Sequence, residues 1–320
     1  MPSLLTIPRE LRDQICTYAL FAQTNERQAL NQTFEQLIDN RKSSPAVLDL
    51  LQINHQLRAE TIENIKLFAK RATYDLDIIL VDEILLLPTW VRVPFLTNRL
   101  EEVNATFRIS GSFDPKKEKP RRKKGEDDPP LGPYVRFGSY KGFRIGSGAG
   151  PAMGWQIYGV LERFIRAGPI GHCTERNDHR HVAVKTLNIN IETPPDIDAS
   201  RFLEAPRTVQ WRHYSNPVDD DDDKDVLDPD YLVDFIRGRL YGLLNGSDHE
   251  WFSYGKILYE HVDEVVMKKD GVQIRRFDVA KMLRNVQGLE ERYVTKKQLR
   301  KYKEMVWRVR KERGLKVLSS

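Results

Sequence analysis

A-T-Y-D-L-D-I-I-L, Ala72 to Leu80, is the point at which the apolar pattern changes from a helical period to a period of two. Its inward positions are Tyr74, Leu76, Ile78 and Leu80. This alternation predicts a half-buried strand. V-N-A-T-F-R-I, Val103 to Ile109, repeats it and predicts a second strand. Between the two, residues 84–96 are apolar but interrupted by Pro88 and Pro94, which favours a short helix or an irregular connection.

C-terminal to these strands, helices and strands follow one another without a regular strand–helix alternation. The pattern predicts helices over 155–166, 231–244, 251–259, 279–286 and 295–313, and a strand over 182–191 with a bulge. Lys269-Asp270-Gly271-Val272 lies between two alternating runs and predicts a hairpin. We therefore expect an α+β fold, in which a helical head precedes a mostly antiparallel sheet with packed helices.

The head is expected to span residues 1–70. Pro8 suits the first turn of a helix, and four apolar residues at helical spacing predict its buried face: Leu11, Ile15, Tyr18 and Ala19. A second helix is predicted after Ser44-Pro45, with apolar positions at Val47, Leu48, Leu51, Leu57 and Ile62. Residues 71–320 form the body, with disordered insertions near 112–133 and 215–228.

Composition restricts the class of protein. The chain has 320 residues, of which 40% are hydrophobic and 30% charged, as in a globular protein. Its longest uncharged stretch, 145–161, is short and glycine-rich, so we expect no membrane span. Two cysteines, Cys16 and Cys173, favour a reducing compartment, and the N-terminus has no secretory signal pattern. The nucleus or the cytoplasm is the expected location.

The net charge of +5 is concentrated in a few segments. Residues 116–124 and 296–316 are strongly basic, and residues 219–225 are strongly acidic. The remainder of the chain is slightly acidic, so the overall basicity alone is weak support for nucleic-acid binding. The basic run resembles a nuclear-import signal through Lys119, Arg121, Arg122, Lys123 and Lys124. A solvating charge run is the alternative interpretation.

Residues 5–20, L-T-I-P-R-E-L-R-D-Q-I-C-T-Y-A-L, resemble the start of an F-box, and residues 50–61 resemble its later helix. The pair also resembles a filamentous-fungal F-box-like group with two Glu-x-Arg elements. Glu10-Leu11-Arg12 matches the first element, whereas Gln56-Leu57-Arg58 has glutamine where the second has glutamate. The spacer between the two helices is longer than in most F-boxes.

This resemblance implies a protein-interaction head. F-boxes bind the linker subunit of cullin-type ubiquitin ligases, while the rest of the protein recruits a target. Four positions match the docking motif: Ile7, Pro8, Leu11 and Ile15. The alternative is that these residues only start and bury a helix. We expect a non-enzymatic adaptor without a cofactor, whose partners are the linker subunit and an unknown target protein.

Other chemistry has weaker patterns. His172, Cys173, His179 and His181 are zinc-ligand types, but their spacing favours a surface loop, and we expect no metal site. The glycine-rich run 144–151 lacks a phosphate-binding fingerprint, and no nucleophile motif is present. The C-terminal helix is basic and amphipathic, with Leu299, Tyr302, Val306 and Val309 as its apolar stripe. It either packs on the body or lies on nucleic acid, which is the alternative function.

Overall fold

A computed structural model describes residues 4–27, 30, 46–113, 143, 152–170, 181–207, 226–286 and 294–318. Its centre is a six-stranded sheet, whose strands are β1 (Thr73–Val81), β2 (Leu85–Arg92), β3 (Arg99–Ser110), β4 (Ala183–Ile191), β7 (Val262–Lys269) and β8 (Val272–Asp278). Their order in the sheet is β2-β1-β3-β4-β7-β8. The short strands β5 (Phe202–Leu203) and β6 (Val226–Leu227) pair separately.

The four central strands of the sheet are parallel, and only the two edge strands are antiparallel. The fold is therefore mixed α/β, and the expectation of a mostly antiparallel sheet is wrong. Parallel neighbours need long crossover connections. Here these connections include residues 111–182 and 192–261, whose long polar insertions hid the strand–helix alternation in the sequence.

Strand β2 was expected to be a short helix or an irregular connection. It is instead an edge strand that pairs with β1 over Leu85–Arg92. Pro88 is accommodated because an edge strand needs ladder bonds on one side only. The bulge expected in β4 is also absent, since its register with β3 and β7 is continuous. Val184 and Leu187 are both buried although they lie on opposite faces, because the start of this strand is covered on both sides.

The helices account for most of the periodic segments predicted from the sequence. They are α1 (Arg9–Phe21), α2 (Ala46–Ile53), α3 (His55–Phe68), α4 (Ala152–Val160), α5 (Pro229–Asn245), α6 (Lys256–His261), α7 (Val279–Asn285) and α8 (Lys296–Glu312). Single π-helical turns extend α4 and precede α6. Asp228 caps the start of α5, and Gly246, at φ 82°, ends it. The hairpin at Asp270-Gly271 is confirmed.

The single helix predicted after Pro45 is two helices. Asn54 has an extended backbone, and its side chain accepts a hydrogen bond from the Leu57 amide, so it ends α2 and caps α3. The buried apolar residues of the head belong to one cluster with the sheet and the body helices. They are Cys16, Leu20, Val47, Leu50 and Leu57. The head therefore shares a core with the body.

One face of the sheet contributes to this cluster, whereas the other carries polar side chains next to a small apolar cluster of Ile79, Leu85 and Leu87. Asn104 donates to Asp75 over 3.0 Å, and Asn188 donates to Asn104 over 2.9 Å. Arg108 and Asp77 form a two-bond ion pair in which the Asp77 side chain is almost fully buried. These contacts link β1, β3 and β4 across the polar face.

Helix α8 packs on the body through Tyr302 and Val306, whereas Leu299 and Val309 are only half-buried. Its third buried residue is Arg310, whose side chain is fully enclosed. The guanidinium donates to the carbonyl oxygens of Tyr259, Val262 and Lys316 and to the Asp263 carboxylate. Arg310 thus joins α8 to the α6–β7 junction.

The described ends of the two predicted insertions are ordered, which corrects their boundaries. Phe113 is buried, and residues 226–227 form β6. The apolar side chains at these ends, Phe113, Val226 and Leu227, are buried, although the sequence around them is polar.

Candidate protein-docking surface

Large apolar side chains that remain exposed are concentrated in the head. Twelve are found in the described part of the chain, and seven of them lie in residues 4–68. These seven are Leu5, Leu11, Ile15, Tyr18, Ile53, Ile62 and Leu67. Isolated apolar residues are normal on a protein surface, whereas a contiguous exposed patch is typical of a surface that binds another molecule.

The exposed face of α1 carries most of the residues matched to the docking motif. Leu11 is 48% exposed and Ile15 is 45% exposed, and Pro8 is exposed at the N-cap. Ile7 is half-buried. Leu11 and Ile15 are four residues apart and therefore adjacent on the helix surface. Tyr18, which is 79% exposed, extends the same stripe.

The prediction that Leu11, Ile15, Tyr18 and Ala19 form the buried face is wrong by about one residue. Ala19 is half-buried, and the residues that α1 buries are Arg12, Cys16 and Leu20. The helix is rotated by about 100° from the expected orientation. The cause is Arg12, because its buried ion pair turns a charged position inward and leaves the apolar stripe outside.

A buried ion pair fixes α1 against α3. Arg12 donates through Nε to Glu60 Oε2 over 2.9 Å and through Nη2 to Glu60 Oε1 over 2.6 Å. Its Nη1 also donates to the Ile7 carbonyl oxygen over 2.6 Å. The bidentate geometry defines the angle between the helices and ties the turn before α1 to the same point.

Further polar contacts extend along the same helix pair. Asn64 donates to Asp13 over 3.0 Å, and Arg9 pairs with Glu63. Gln56 also donates to Glu60, so the altered second motif still contributes to the pairing through Gln56. Glu60 lies one helical turn after Gln56 on the same face, but no pattern in the sequence marks it as the partner of Arg12.

The ion pair gives the stability of the head a defined pH dependence. The Arg12 guanidinium lowers the pKa of Glu60 from about 4.5 to about 2. A carboxyl whose pKa falls on folding stabilises the folded state above its unfolded pKa, and this contribution disappears as the pH falls toward 2.

We therefore expect the isosteric change Glu60→Gln to lower thermal stability at neutral pH. The difference between the two proteins should hold down to about pH 5 and shrink between about pH 4.5 and 2. Thermal unfolding measured at a series of pH values checks this. A difference that is independent of pH would show that the charge of Glu60 has no such role.

Several other candidate residues lie outside the described part of the chain. They are Lys119, Arg121, Arg122, Lys123 and Lys124 of the basic run, His172, Cys173 and His179, and the glycine-rich residues 144–151. His181 is described, and its ring stacks edge-on against His261 at 5.5 Å. No cluster of potential metal ligands occurs among the residues with described positions.

Four carboxylate residues of β1 and of the turn after it, Asp75, Asp77, Asp82 and Glu83, have structural roles in the sheet. Asp75 and Asp77 hold the polar face described above. Asp82 and Glu83 form the β1–β2 turn with φ values of 47° and 58°, and the Ile84 amide closes it on the Val81 carbonyl. Such left-handed positions belong to the tight turn that joins two antiparallel strands.

Comparison with known proteins does not indicate what this surface binds. No protein-family model matches the chain, and no curated protein or solved structure is significantly similar to it. Within the described ranges, none of the helices is long and apolar enough to cross a bilayer.

Proposed function

We propose that the chain is a non-enzymatic protein-interaction adaptor whose helix α1 docks on the linker subunit of a cullin-type ubiquitin ligase. The observation that carries this proposal is the exposure of Leu11 and Ile15, at positions where the F-box resemblance places partner contacts. If the motif only served to bury a helix, these two side chains would face the core. A surface of the body would then hold the target protein.

The geometry of the head supports this proposal in a second way. The ion pair between Arg12 and Glu60 holds α1 in one orientation before any partner arrives. Preorganisation lowers the entropy that binding must overcome. Apolar anchors presented on a rigid helix at a spacing of three to four residues suit docking into a groove of a partner.

Affinity purification from a filamentous-fungal extract tests the proposal. The wild-type chain should copurify with the linker subunit and the cullin, and the double change Leu11→Asp with Ile15→Asp should remove both. The matched control is Val272→Asp with Ile274→Asp, which changes two exposed apolar residues of β8, far from α1 in the sequence. This control should retain both subunits.

Two outcomes would contradict the proposal. The linker subunit could be absent from the wild-type sample, or it could be retained equally by the α1 variant and the control. In either case α1 would have a purely structural role.

A further inference from the structure

The exposed side of α8 is a row of cations without acidic partners. Among the described residues, five basic side chains of this helix are exposed and form no ion pair. They are Lys296, Lys297, Lys301, Arg308 and Lys311. At 100° per residue they fall within an arc of about 140°. Tyr302, Val306 and Arg310 occupy the opposite, buried side.

The row is ordered by the rest of the fold. A capping box formed by Thr295 and Gln298 starts the helix, and the fully buried Arg310 fixes its end. The row from Lys297 to Lys311 therefore has a fixed length of about 21 Å. Of the two acidic residues on α8, Glu304 is already engaged by Arg300. Arg284 of α7 is a further exposed cation beside α8, since its carbonyl oxygen accepts from Lys303.

The charge and the lack of exposed apolar residues on this surface indicate which class of partner it binds. Protein-binding surfaces have an apolar centre, but none of the exposed large apolar residues in the described chain lies on α8. A membrane-surface helix inserts its apolar face, whereas the apolar face of α8 is already packed on the body. Nucleic-acid interfaces are polar and strongly positive, and their affinity comes from phosphates.

We infer that α8 forms a sequence-independent binding surface for the phosphate backbone of nucleic acid. A row of about 21 Å spans about six base pairs of a duplex, since each pair rises about 3.4 Å. This activity is separate from the docking of α1, because the two surfaces share no residue. Through α8 the adaptor would then bind nucleic acid directly, or a target protein that is itself bound to nucleic acid.

The test measures binding of the full chain to a duplex DNA of about 20 base pairs at salt concentrations between about 50 and 200 mM. Each phosphate contact contributes about −0.9 to the slope of log K against log salt. The triple change Lys297→Gln, Lys301→Gln and Arg308→Gln should therefore reduce the magnitude of the slope by about 2.7. Glutamine keeps a good helix propensity, so α8 should remain folded.

The control neutralises three exposed cations of the head with the same total charge change, Lys66→Gln, Lys70→Gln and Arg71→Gln. It should leave the slope within about 0.5 of the wild-type value. An equal loss in both variants would show that only net charge matters and would overturn the inference. So would undetectable binding of the wild type at about 50 mM salt.

Two further probes separate the other polyanions. Polyglutamate and phosphatidylserine vesicles should bind more weakly than the duplex at the same salt concentration. If either bound more tightly and was lost in the α8 variant, the surface would belong to an acidic protein or to a membrane instead.

Discussion

Replacing Arg310 by methionine is expected to lower the free energy of unfolding by about 3–5 kcal/mol. The side chain is 0% exposed and donates to three carbonyl oxygens and one carboxylate. Methionine fills a similar volume but donates nothing, so these acceptors lose their partner. Breaking a buried pair from one side costs more than the pair contributes, since the other charge remains.

Burial disfavours the charged forms of both Arg310 and Asp263. Removal from water lowers the pKa of Arg310 and raises the pKa of Asp263. The attraction between the two charges therefore offsets part of the free-energy cost of burying them. Asp263 is also held by the Lys316 amide over 2.7 Å, so the loss should loosen the residues after α8 as well.

Chemical denaturation of the variant and of a matched control measures this effect. Arg308→Met changes an exposed arginine of the same helix two residues earlier, and it should alter the free energy of unfolding by less than about 0.5 kcal/mol. Equal stability of the two variants would mean that Arg310 does not fasten α8 to the body.

The second large effect concerns two neighbouring residues of α1. Cys16 is 1% exposed within the core, whereas Ile15 is 45% exposed. Cys16→Asp would bury a carboxylate beside Arg12, whose guanidinium is already paired with Glu60, and should cost about 3 kcal/mol or more. Ile15→Asp should cost less than about 1 kcal/mol, since its carboxylate would meet water.

Comparison of these two variants tests the orientation of α1 directly. Thermal or chemical unfolding of both variants suffices, and Gln14→Asp, at an exposed position, controls for helix propensity. If Ile15→Asp were the more damaging change, the helix would face the core with the stripe Leu11, Ile15 and Tyr18. The docking proposal would then lose its surface.

Local patterns in the sequence are sufficient to predict much of the secondary structure. The alternation around Leu76 and Phe107 predicted β1 and β3, and the Asp270-Gly271 pair predicted the hairpin of β7 and β8. Strand direction was not accessible in the same way. It depends on which strands become neighbours after long insertions, and a period of two is identical in parallel and antiparallel sheets.

The parts of the site that were missed depend on partners distant in sequence. Arg12 turns inward because Glu60, 48 residues away, receives it. Arg310 is buried because Asp263 and three carbonyl oxygens are brought to it by the fold. A helical pattern is recognised from its apolar residues, so it predicts that charged residues such as these two arginines are exposed. The role of Leu11 and Ile15 in docking stays a prediction, whereas their predicted burial was wrong.

The most direct test of the central proposal is a titration between the purified chain and the purified linker subunit. We predict saturable binding by the wild type and at least about a 100-fold loss of affinity for Leu11→Asp with Ile15→Asp, as expected when two anchor residues are removed. The free energy of unfolding of the variant should stay close to that of the wild type. Absence of binding by the wild type, or equal affinity of the two proteins, would contradict the account.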